Sequence, residues 1–298
     1  MMKKTSKPRN ERAQRLDVMI IVILVLMSLC TLYPFYNVLI LSLSNTVSSA
    51  KHPLYVLPYV FDLTGYRTII ADKKFLSALS VSVFVTVVGG AVNMLLSVMG
   101  AYVLSRRELI GRKLFLTMII FTMLFSGGMV PTYLTVKNLG LINSVWAMIV
   151  PSAISTYYLI IMKNYFLNFP QGLIEAAKLD GAGEWRVLWQ IVVPISKPFM
   201  ATFLLFYCVE RWNEWYNALL YISDTSKQPL QIYLRDILIS LNTQLSAQAQ
   251  QMMGTTQKIS TTAVQMAAII VTAVPIICLY PFLQKYFVNG VMVGGLKE

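Results

Sequence analysis

The sequence predicts an all-α integral membrane protein with six transmembrane helices. Of its 298 residues, 56% are hydrophobic and 13% are charged, whereas a soluble domain carries about 25% charged residues. Apolar stretches of at least about 18 residues, long enough to cross a bilayer as a helix, recur along the chain. This composition and this pattern exclude an ordinary water-soluble fold.

The predicted spans are apolar runs bounded by polar or charged residues. Several contain a proline, which membrane helices tolerate because neighbouring helices satisfy the freed carbonyl groups. The first run has about 24 residues and exceeds the roughly 7 to 15 of a cleaved signal peptide, so we expect it to remain as a helix. The predicted spans are residues 18–41, 75–104, 114–134, 141–162, 199–221 and 263–283.

The basic residues indicate how the spans are oriented. With the amino terminus inside, sixteen of the 25 Lys and Arg residues fall in inner segments and nine in outer ones. Basic residues concentrate on the cytoplasmic side of membrane proteins, so both terminal segments, residues 1–17 and 284–298, are predicted to be cytoplasmic. The net charge of +12 then largely faces anionic lipid. Nucleic acid is not an expected partner, because the basic residues form no continuous stripe.

Residues that carry catalysis or bind metals are scarce. The three cysteines lie in apolar runs and the one histidine, His52, is expected in a loop, so we expect neither a disulfide framework nor a metal site. The phosphate-binding pattern G-x-x-x-x-G-K-[ST] does not occur, so ATP hydrolysis by this chain alone is not expected. The sequence predicts no catalytic residue and no cofactor in this chain, which argues against a membrane-embedded enzyme.

Residues 163–197 form the longest predicted cytoplasmic connection and do not resemble a passive linker. Pro170 is suited to begin a helix over residues 172–179, and Gly181 is suited to the left-handed turn that ends it. A second short helix is expected over residues 184–192, and we call this helix-turn-helix the elbow. Its apolar residues indicate either a protein partner or, for the tryptophans, anchoring at lipid headgroups. They are Leu173, Ile174, Ala177, Trp185, Leu188 and Trp189.

A motif with fixed spacing runs through the elbow. It consists of Glu175, Ala176, Ala177, Gly181, Ile191 and Pro194. The spacing resembles the EAA signature of permease subunits of binding-protein-dependent ABC importers: EAA, three residues, G, nine residues, I, any residue, L, P. Val193 stands where Leu is usual, which is a small change in volume. The resemblance implies the MetI-like permease fold.

Other stretches resemble the carbohydrate-importer permeases of the maltose type, in the second-subunit (MalG-like) class. These stretches are residues 101–106, 194–198, 212–214 and 284–290. Residues 126–133, which read SGGMVPTY, resemble the subgroup named after LplC and YtcP, associated with complex oligosaccharides. The resemblance therefore implies uptake of oligosaccharides by alternating access.

The resemblance also assigns roles within the elbow and implies partners. Residues 175–181 would form a coupling helix that docks in a cleft on a separate cytoplasmic ATPase, which would carry the ATP and Mg. The other implied partners are a second, homologous permease subunit in a heterodimer, a second ATPase subunit, an extracytoplasmic solute-binding protein, an oligosaccharide and membrane lipid. The implied coupling residues are Glu175, Ala176, Ala177, Asp180, Gly181, Ile191 and Pro194.

The fifth predicted span contains three charges, which are costly in lipid and usually mark a functional path. On a continuous helix, Glu210, Asn213, Glu214 and Asn217 would share one stripe, and Arg211 could pair with Glu214. Two interpretations stay open: this stripe binds sugar hydroxyls, or the charges lock helices together and the tryptophans lie in an aromatic belt. The candidate substrate-path residues are Glu210, Arg211, Trp212, Asn213, Glu214, Tyr216 and Asn217.

Residues 222–262 form a polar, glutamine-rich outer segment. It is predicted either to dock the solute-binding protein or to be a plain loop. Two alternatives to an oligosaccharide importer remain at this point: an ABC permease for a non-sugar solute, and an ion-driven carrier or channel. The latter would need no EAA motif.

Overall fold

A computed structural model of the chain describes residues 11–44, 57–58, 60–251 and 261–294. These residues are almost entirely helical, with an isolated antiparallel bridge between Ser44 and Phe61. The predicted all-α class is confirmed. The basic residues before position 11, His52, residues 252–260 of the outer segment and the last four residues of the tail lie outside the described residues.

The helices differ greatly in length. They are α1 (Glu11–Ser42), α2 (Thr64–Ala71), α3 (Lys73–Phe84), α4 (Gly90–Ser105), α5 (Arg112–Leu124), α6 (Met129–Asn138), α7 (Thr156–Leu167), α8 (Gln171–Leu179), α9 (Glu184–Val187), α10 (Val193–Ile195), α11 (Lys197–Trp212), α12 (Tyr216–Tyr221), α13 (Leu230–Gln251) and α14 (Thr261–Gly294). Two π-helical segments, Val85–Gly89 and Leu188–Val192, continue α3 and α9. Short 3₁₀ turns lie at Val145–Met148, Val150–Ser152 and Thr225–Lys227.

The chain divides into two compact units, of which the first combines Met1–Ile69 with Leu241–Ile270. In this unit the apolar side chains of α1 are largely exposed. A Cβ on Gly65 would lie 2.9 Å from the carbonyl oxygen of Ala263. Glycine is therefore needed where α2 approaches the start of α14, because a side chain would collide with backbone.

The second unit combines Ile70–Ser240 with Val271–Glu298 and contains two apolar cores. The larger core joins α4, α7, the elbow and α11, and the smaller core surrounds the 3₁₀ turns before α7. Fully buried members of the larger core include Met162, Val187 and Tyr207. The elbow is therefore packed against the helices that precede and follow it.

Two helical stretches of the described residues are long and apolar enough to cross a membrane, Leu16–Ser42 and Lys73–Ser105. They coincide with the first two predicted spans. Three pairs of helices are long and apolar enough to cross a membrane only when each pair is counted as one span, and each pair is bent between its halves. Thr262–Cys278 within α14 is a shorter apolar stretch. The count of six spans stays a prediction.

The third and fourth predicted spans are not straight helices. α5 and α6 meet at 117° across residues 125–128, where Gly128 has a φ of +88° that favours glycine. In the fourth, the 3₁₀ turns over residues 145–152 precede α7 at an angle of 49°, with Pro151 in the second turn. Glycine and proline thus break apolar runs that look continuous by composition.

The fifth predicted span, residues 199–221, is interrupted as well, so the expectation of one continuous helix is wrong. α11 ends at Trp212 and α12 begins at Tyr216. The carboxylate of Glu214 accepts a hydrogen bond of 3.0 Å from the backbone N–H of Asn217, an interaction that favours the start of a new helix. The predicted polar stripe required an unbroken helix, so its residues do not follow one line.

Candidate functional site

The first helix of the elbow, α8, follows Pro170 and ends in a left-handed turn. Gly181 has a φ of +81°. The N–H of Ala182 donates to the carbonyl of Ala177 at 2.9 Å, and the N–H of Gly181 donates to that of Lys178 at 3.0 Å. These two bonds form the Schellman arrangement that satisfies the last carbonyls of a helix. The turn is therefore fixed by the backbone itself.

The two faces of α8 differ sharply. Ile174 and Ala177 are buried in the larger core, whereas Glu175 and Ala176 are exposed. Leu179 at the end of the helix is 89% exposed, a large apolar surface for a single residue to leave in water. Of the remaining predicted coupling residues, Asp180, Gly181 and Pro194 are exposed and Ile191 is half-buried. The exposed face is available to a partner.

The second arm of the elbow consists of α9 and the π-helical segment after it. Val187 and Leu188 are buried in the larger core. Trp185 and Trp189 are exposed, with ring centroids 6.2 Å apart. The arm is thus anchored on one side and presents an aromatic pair on the other.

A polar cluster that sequence reasoning missed joins the elbow to the end of α4. The carboxylate of Glu184 lies 2.7 Å from Nζ of Lys178 and 3.0 Å from Nη2 of Arg106. The hydroxyl of Tyr102 donates to the same carboxylate at 2.6 Å. Tyr102 and Arg106 lie within residues 101–106, which were noted only for their resemblance to carbohydrate permeases, and no role was predicted for them.

The charges of the fifth predicted span lie in two environments. Arg211 is buried, with 4% of its side chain exposed. Its guanidinium donates to the carbonyl of Met148 at 2.5 Å, to the hydroxyl of Ser152 at 3.0 Å and to Oδ1 of Asn93 at 3.1 Å. It also donates to the carbonyl of Ser152. Arg211 thus holds α11 to α4 and to the 3₁₀ turns.

Three further candidates also make hydrogen bonds within the protein, and together with Arg211 we call them the framework of the fifth span. Glu214 lies 3.6 Å from Arg211, and its oxygens accept from the backbone and the side-chain amide of Asn217, each at 3.0 Å. Trp212 is buried and its indole N–H donates to the carbonyl of Thr272 at 3.0 Å. These contacts hold protein elements together and leave little of these side chains for a ligand.

The other candidates are accessible. Glu210 is exposed and accepts a hydrogen bond of 2.7 Å from the hydroxyl of Tyr158. Asn213 is exposed at the end of α11, where its Oδ1 accepts from Gln231 at 3.2 Å. Tyr216 is exposed beside Trp215, with ring centroids 5.8 Å apart. These residues offer a carboxylate, an amide and aromatic faces.

The predicted outer segment is partly helical, through α13. A groove of about 430 Å³ lies between this helix and Trp215. Tyr233 of α13 donates to the carboxylate of Asp72 at 2.9 Å. Burial and this hydrogen bond raise the pKa of Tyr233. The groove is lined by Trp215, Gln231, Leu234, Arg235, Leu238 and Ile239.

Comparison with known proteins defines the class. Residues 97–293 match the family model described as "Binding-protein-dependent transport system inner membrane component". Because the match covers most of the chain, including the elbow and both halves of the interrupted fifth span, the chain belongs to this family of membrane permeases. The predicted family is confirmed, as is the interpretation as a permease component of a binding-protein-dependent transport system, and the role of the EAA residues stays a prediction.

The chain is also similar to individual permeases and to a solved structure. The chain is 41% identical to Protein LplC of Bacillus subtilis (strain 168) over 289 residues, 97% of each chain. It is also 41% identical to the polygalacturonan/rhamnogalacturonan transport system permease protein YtcP of the same organism, over 94% of this chain and 98% of the relative. A crystal structure of a bacterial ABC transporter that imports the acidic polysaccharide alginate contains a chain with a TM-score of 0.85 and 28% identity, covering 95% of this chain and all of that one.

Proposed function

We propose that this chain is the permease subunit of an ABC importer for oligosaccharides, with fragments of acidic polysaccharides as the first candidates. The observation that carries the proposal is the 41% identity to YtcP over nearly the whole of both chains. Polygalacturonan and rhamnogalacturonan contain sugar carboxylates, and alginate, the cargo of the solved relative, is also acidic. A non-sugar solute is the remaining alternative within the family, and no described feature favours an ion-driven carrier or channel.

The elbow is the part of the chain that would contact the ATPase and move when ATP is bound and hydrolysed. Its exposed face carries Glu175, Ala176 and Leu179, and we expect this mixed charged and apolar surface to fit a cleft on an ATPase subunit. ATP and Mg would be held by that partner. This chain would make no covalent chemistry and would respond by moving.

The packing of the elbow supports a lever mechanism. Ile174, Val187 and Leu188 are buried in the core that contains α7 and α11. Close-packed interiors transmit displacement because they have little free volume. Closure of two ATPase subunits on ATP would therefore shift the elbow with both helices and alternate the access of the path between the two sides of the membrane.

The accessible residues of the interrupted fifth span are proposed to line the path. Glu210, Asn213 and Tyr216 would contact saccharide hydroxyls and ring faces. Arg211, Trp212, Glu214 and Asn217 would instead hold the walls in place, because each makes side-chain hydrogen bonds within the protein. Both open interpretations of this span then apply, each to different residues.

The remaining partners and the orientation follow from the same proposal. A second, homologous permease subunit would complete the path, and the exposed apolar surface of α5 and α6 provides an area for it. The extracytoplasmic solute-binding protein would dock near residues 222–262. Both termini would lie in the cytoplasm of a bacterial cell, in agreement with the distribution of basic residues.

Transport by the purified, reconstituted complex tests the proposal. The chain would be placed in liposomes with its homologous permease, ATPase and solute-binding protein, and uptake of labelled oligogalacturonides, neutral oligosaccharides and amino acids would be measured with and without ATP. We expect ATP-dependent uptake of an oligosaccharide. Uptake confined to a non-sugar solute would contradict the saccharide assignment, and uptake independent of ATP would contradict the importer class.

A further inference from the structure

The end of α4 is built to hold one hydroxyl and one guanidinium in fixed positions. Tyr102 is buried, and its ring packs edge-on against Phe166 with centroids 6.2 Å apart. The guanidinium of Arg106 lies over the same ring, 4.4 Å from its centroid, and donates to the Tyr102 hydroxyl. Such a cation–π contact favours one position of the arginine. Both groups point toward the elbow.

Glu184 receives hydrogen bonds from three side chains on two other elements. One oxygen of its carboxylate lies 2.7 Å from Nζ of Lys178, at the end of α8. The other accepts from Arg106 at 3.0 Å and from Tyr102 at 2.6 Å, both on or just after α4. A single carboxylate at the start of α9 therefore connects both arms of the elbow to the end of α4.

The arrangement differs from an isolated surface ion pair. Isolated exposed pairs contribute little, because solvent screens them and two long side chains must be ordered. Here Arg106 is ordered by the Tyr102 ring and is only 18% exposed, although Glu184 itself is 51% exposed. Charge-assisted hydrogen bonds are roughly twice as strong as neutral ones. The carboxylate thus has two preformed donors on a rigid helix end.

We propose that Glu184 is a positioning residue that latches the elbow to α4, so that movement of the elbow reaches the helix Lys73–Ser105 as well as α7 and α11. The inference rests on the proposed function of the elbow. It gives residues 101–106 a role, because Tyr102 and Arg106 in this stretch bind the Glu184 carboxylate. Without the latch, the elbow would still dock on the ATPase, but its displacement would reach the second span only through apolar packing.

The first test compares transport with ATP consumption in the complete reconstituted importer. Glu184→Gln keeps the size of the side chain and removes its charge, and Glu108→Gln is the matched control at an exposed carboxylate of the neighbouring inner segment. We expect Glu184→Gln to lower the number of saccharides imported per ATP by about five- to tenfold, with little change in ATP hydrolysis or melting temperature. Arg106→Met should cause no further loss in the Glu184→Gln background, because both changes break the same contact.

A ratio equal to that of the unchanged protein would overturn the latch. So would a parallel fall in uptake, hydrolysis and melting temperature, since that pattern indicates a structural role alone. Additive effects of the two substitutions would also contradict it.

The second test does not depend on the cargo. Spin labels at Arg107→Cys and Gln190→Cys, in a variant whose natural cysteines are replaced by serine, report the distance between the end of α4 and the second arm of the elbow. We expect ATP to leave this distance unchanged in the otherwise unaltered complex and to change it when Glu184→Gln is added. If no saccharide is imported but this difference is found, the cargo assignment fails and the latch stands. A distance that changes equally in both complexes would overturn the latch.

Discussion

Nη1 of Arg211 lies 3.6 Å from Oε2 of Glu214, and the two side chains are 4% and 11% exposed. This pair lies where α11 ends, inside a segment that is apolar on both sides. Arg211 also donates to groups on α4 and on the 3₁₀ turns before α7. The buried charges are therefore part of the framework that joins three segments, and the surface that could meet cargo belongs to their neighbours.

Arg211→Met should destabilise the protein strongly. The substitution leaves the Glu214 carboxylate without its counter-charge and several acceptors without a donor, and breaking such a buried pair costs about 3 to 5 kcal/mol. Thermal unfolding of the purified complex in detergent measures the effect. Arg235→Met removes an exposed arginine of α13 and should leave the melting temperature nearly unchanged. Equal melting temperatures for the two variants would show that Arg211 does not support the framework.

Glu210→Gln should weaken transport without weakening the fold. The carboxylate is exposed and its Tyr158 partner can still donate to the amide oxygen, so the melting temperature should stay the same. Hydrogen bonds to charged groups are worth about 1.5 to 3 kcal/mol, so we expect the half-saturating saccharide concentration to rise by about tenfold or more. Glu108→Gln, at an exposed carboxylate outside this span, is the control. Unchanged uptake kinetics for Glu210→Gln would remove this residue from the path.

Gly181→Ala and Gly172→Ala form a matched pair within the elbow. A Cβ at either position would meet nothing within 4 Å, but only Gly181 has a left-handed φ. Left-handed backbone costs a residue with a side chain about 1 to 2 kcal/mol, so Gly181→Ala should deform the turn and reduce ATP-dependent uptake. Gly172→Ala should be neutral or slightly stabilising, since alanine favours a helix. Equal activity of both variants would mean that the turn is not needed.

Leu179 and Ile174 provide a test of docking by chemical labelling. In a variant without natural cysteines, Leu179→Cys should react rapidly with a maleimide in the isolated permease, because this position is 89% exposed. We expect the partner ATPase to slow that reaction by more than tenfold by covering the elbow. Ile174→Cys, at a buried position, should react slowly in both states. Rapid labelling of Leu179→Cys within the assembled complex would place the contact elsewhere.

The sequence predicted best those features that depend on a few neighbouring residues. Hydropathy predicted the helix Lys73–Ser105 closely, and Pro170 and Gly181 predicted both ends of α8, because helix starts and left-handed turns depend on single residue types. Hydropathy did not reveal that the third and fifth spans are interrupted. Their breaks arise at Gly128 and from the hydrogen bonds of Glu214, which apolar averaging over about 18 residues conceals.

Contacts between segments far apart in the sequence could not be predicted from the spacing of residues. Glu184 meets Tyr102 and Arg106 only because α4 and the elbow pack on the same core, and they are about 80 positions apart. The different burial of Arg211 and Glu210 could not be predicted from spacing either. Adjacent in sequence, they point to different surroundings, and only the packing of α11 decides which of them is buried.

Stimulation of ATP hydrolysis by the solute-binding protein tests the central claim most directly, because it requires that the elbow transmit a signal between the two sides of the membrane. It would be measured in the reconstituted complex for the unchanged chain, Glu175→Lys and the control Glu108→Lys. We predict that Glu175→Lys loses the stimulation while the ATPase subunits keep their basal rate, and that Glu108→Lys retains it. Full stimulation in Glu175→Lys would contradict the coupling role of the elbow.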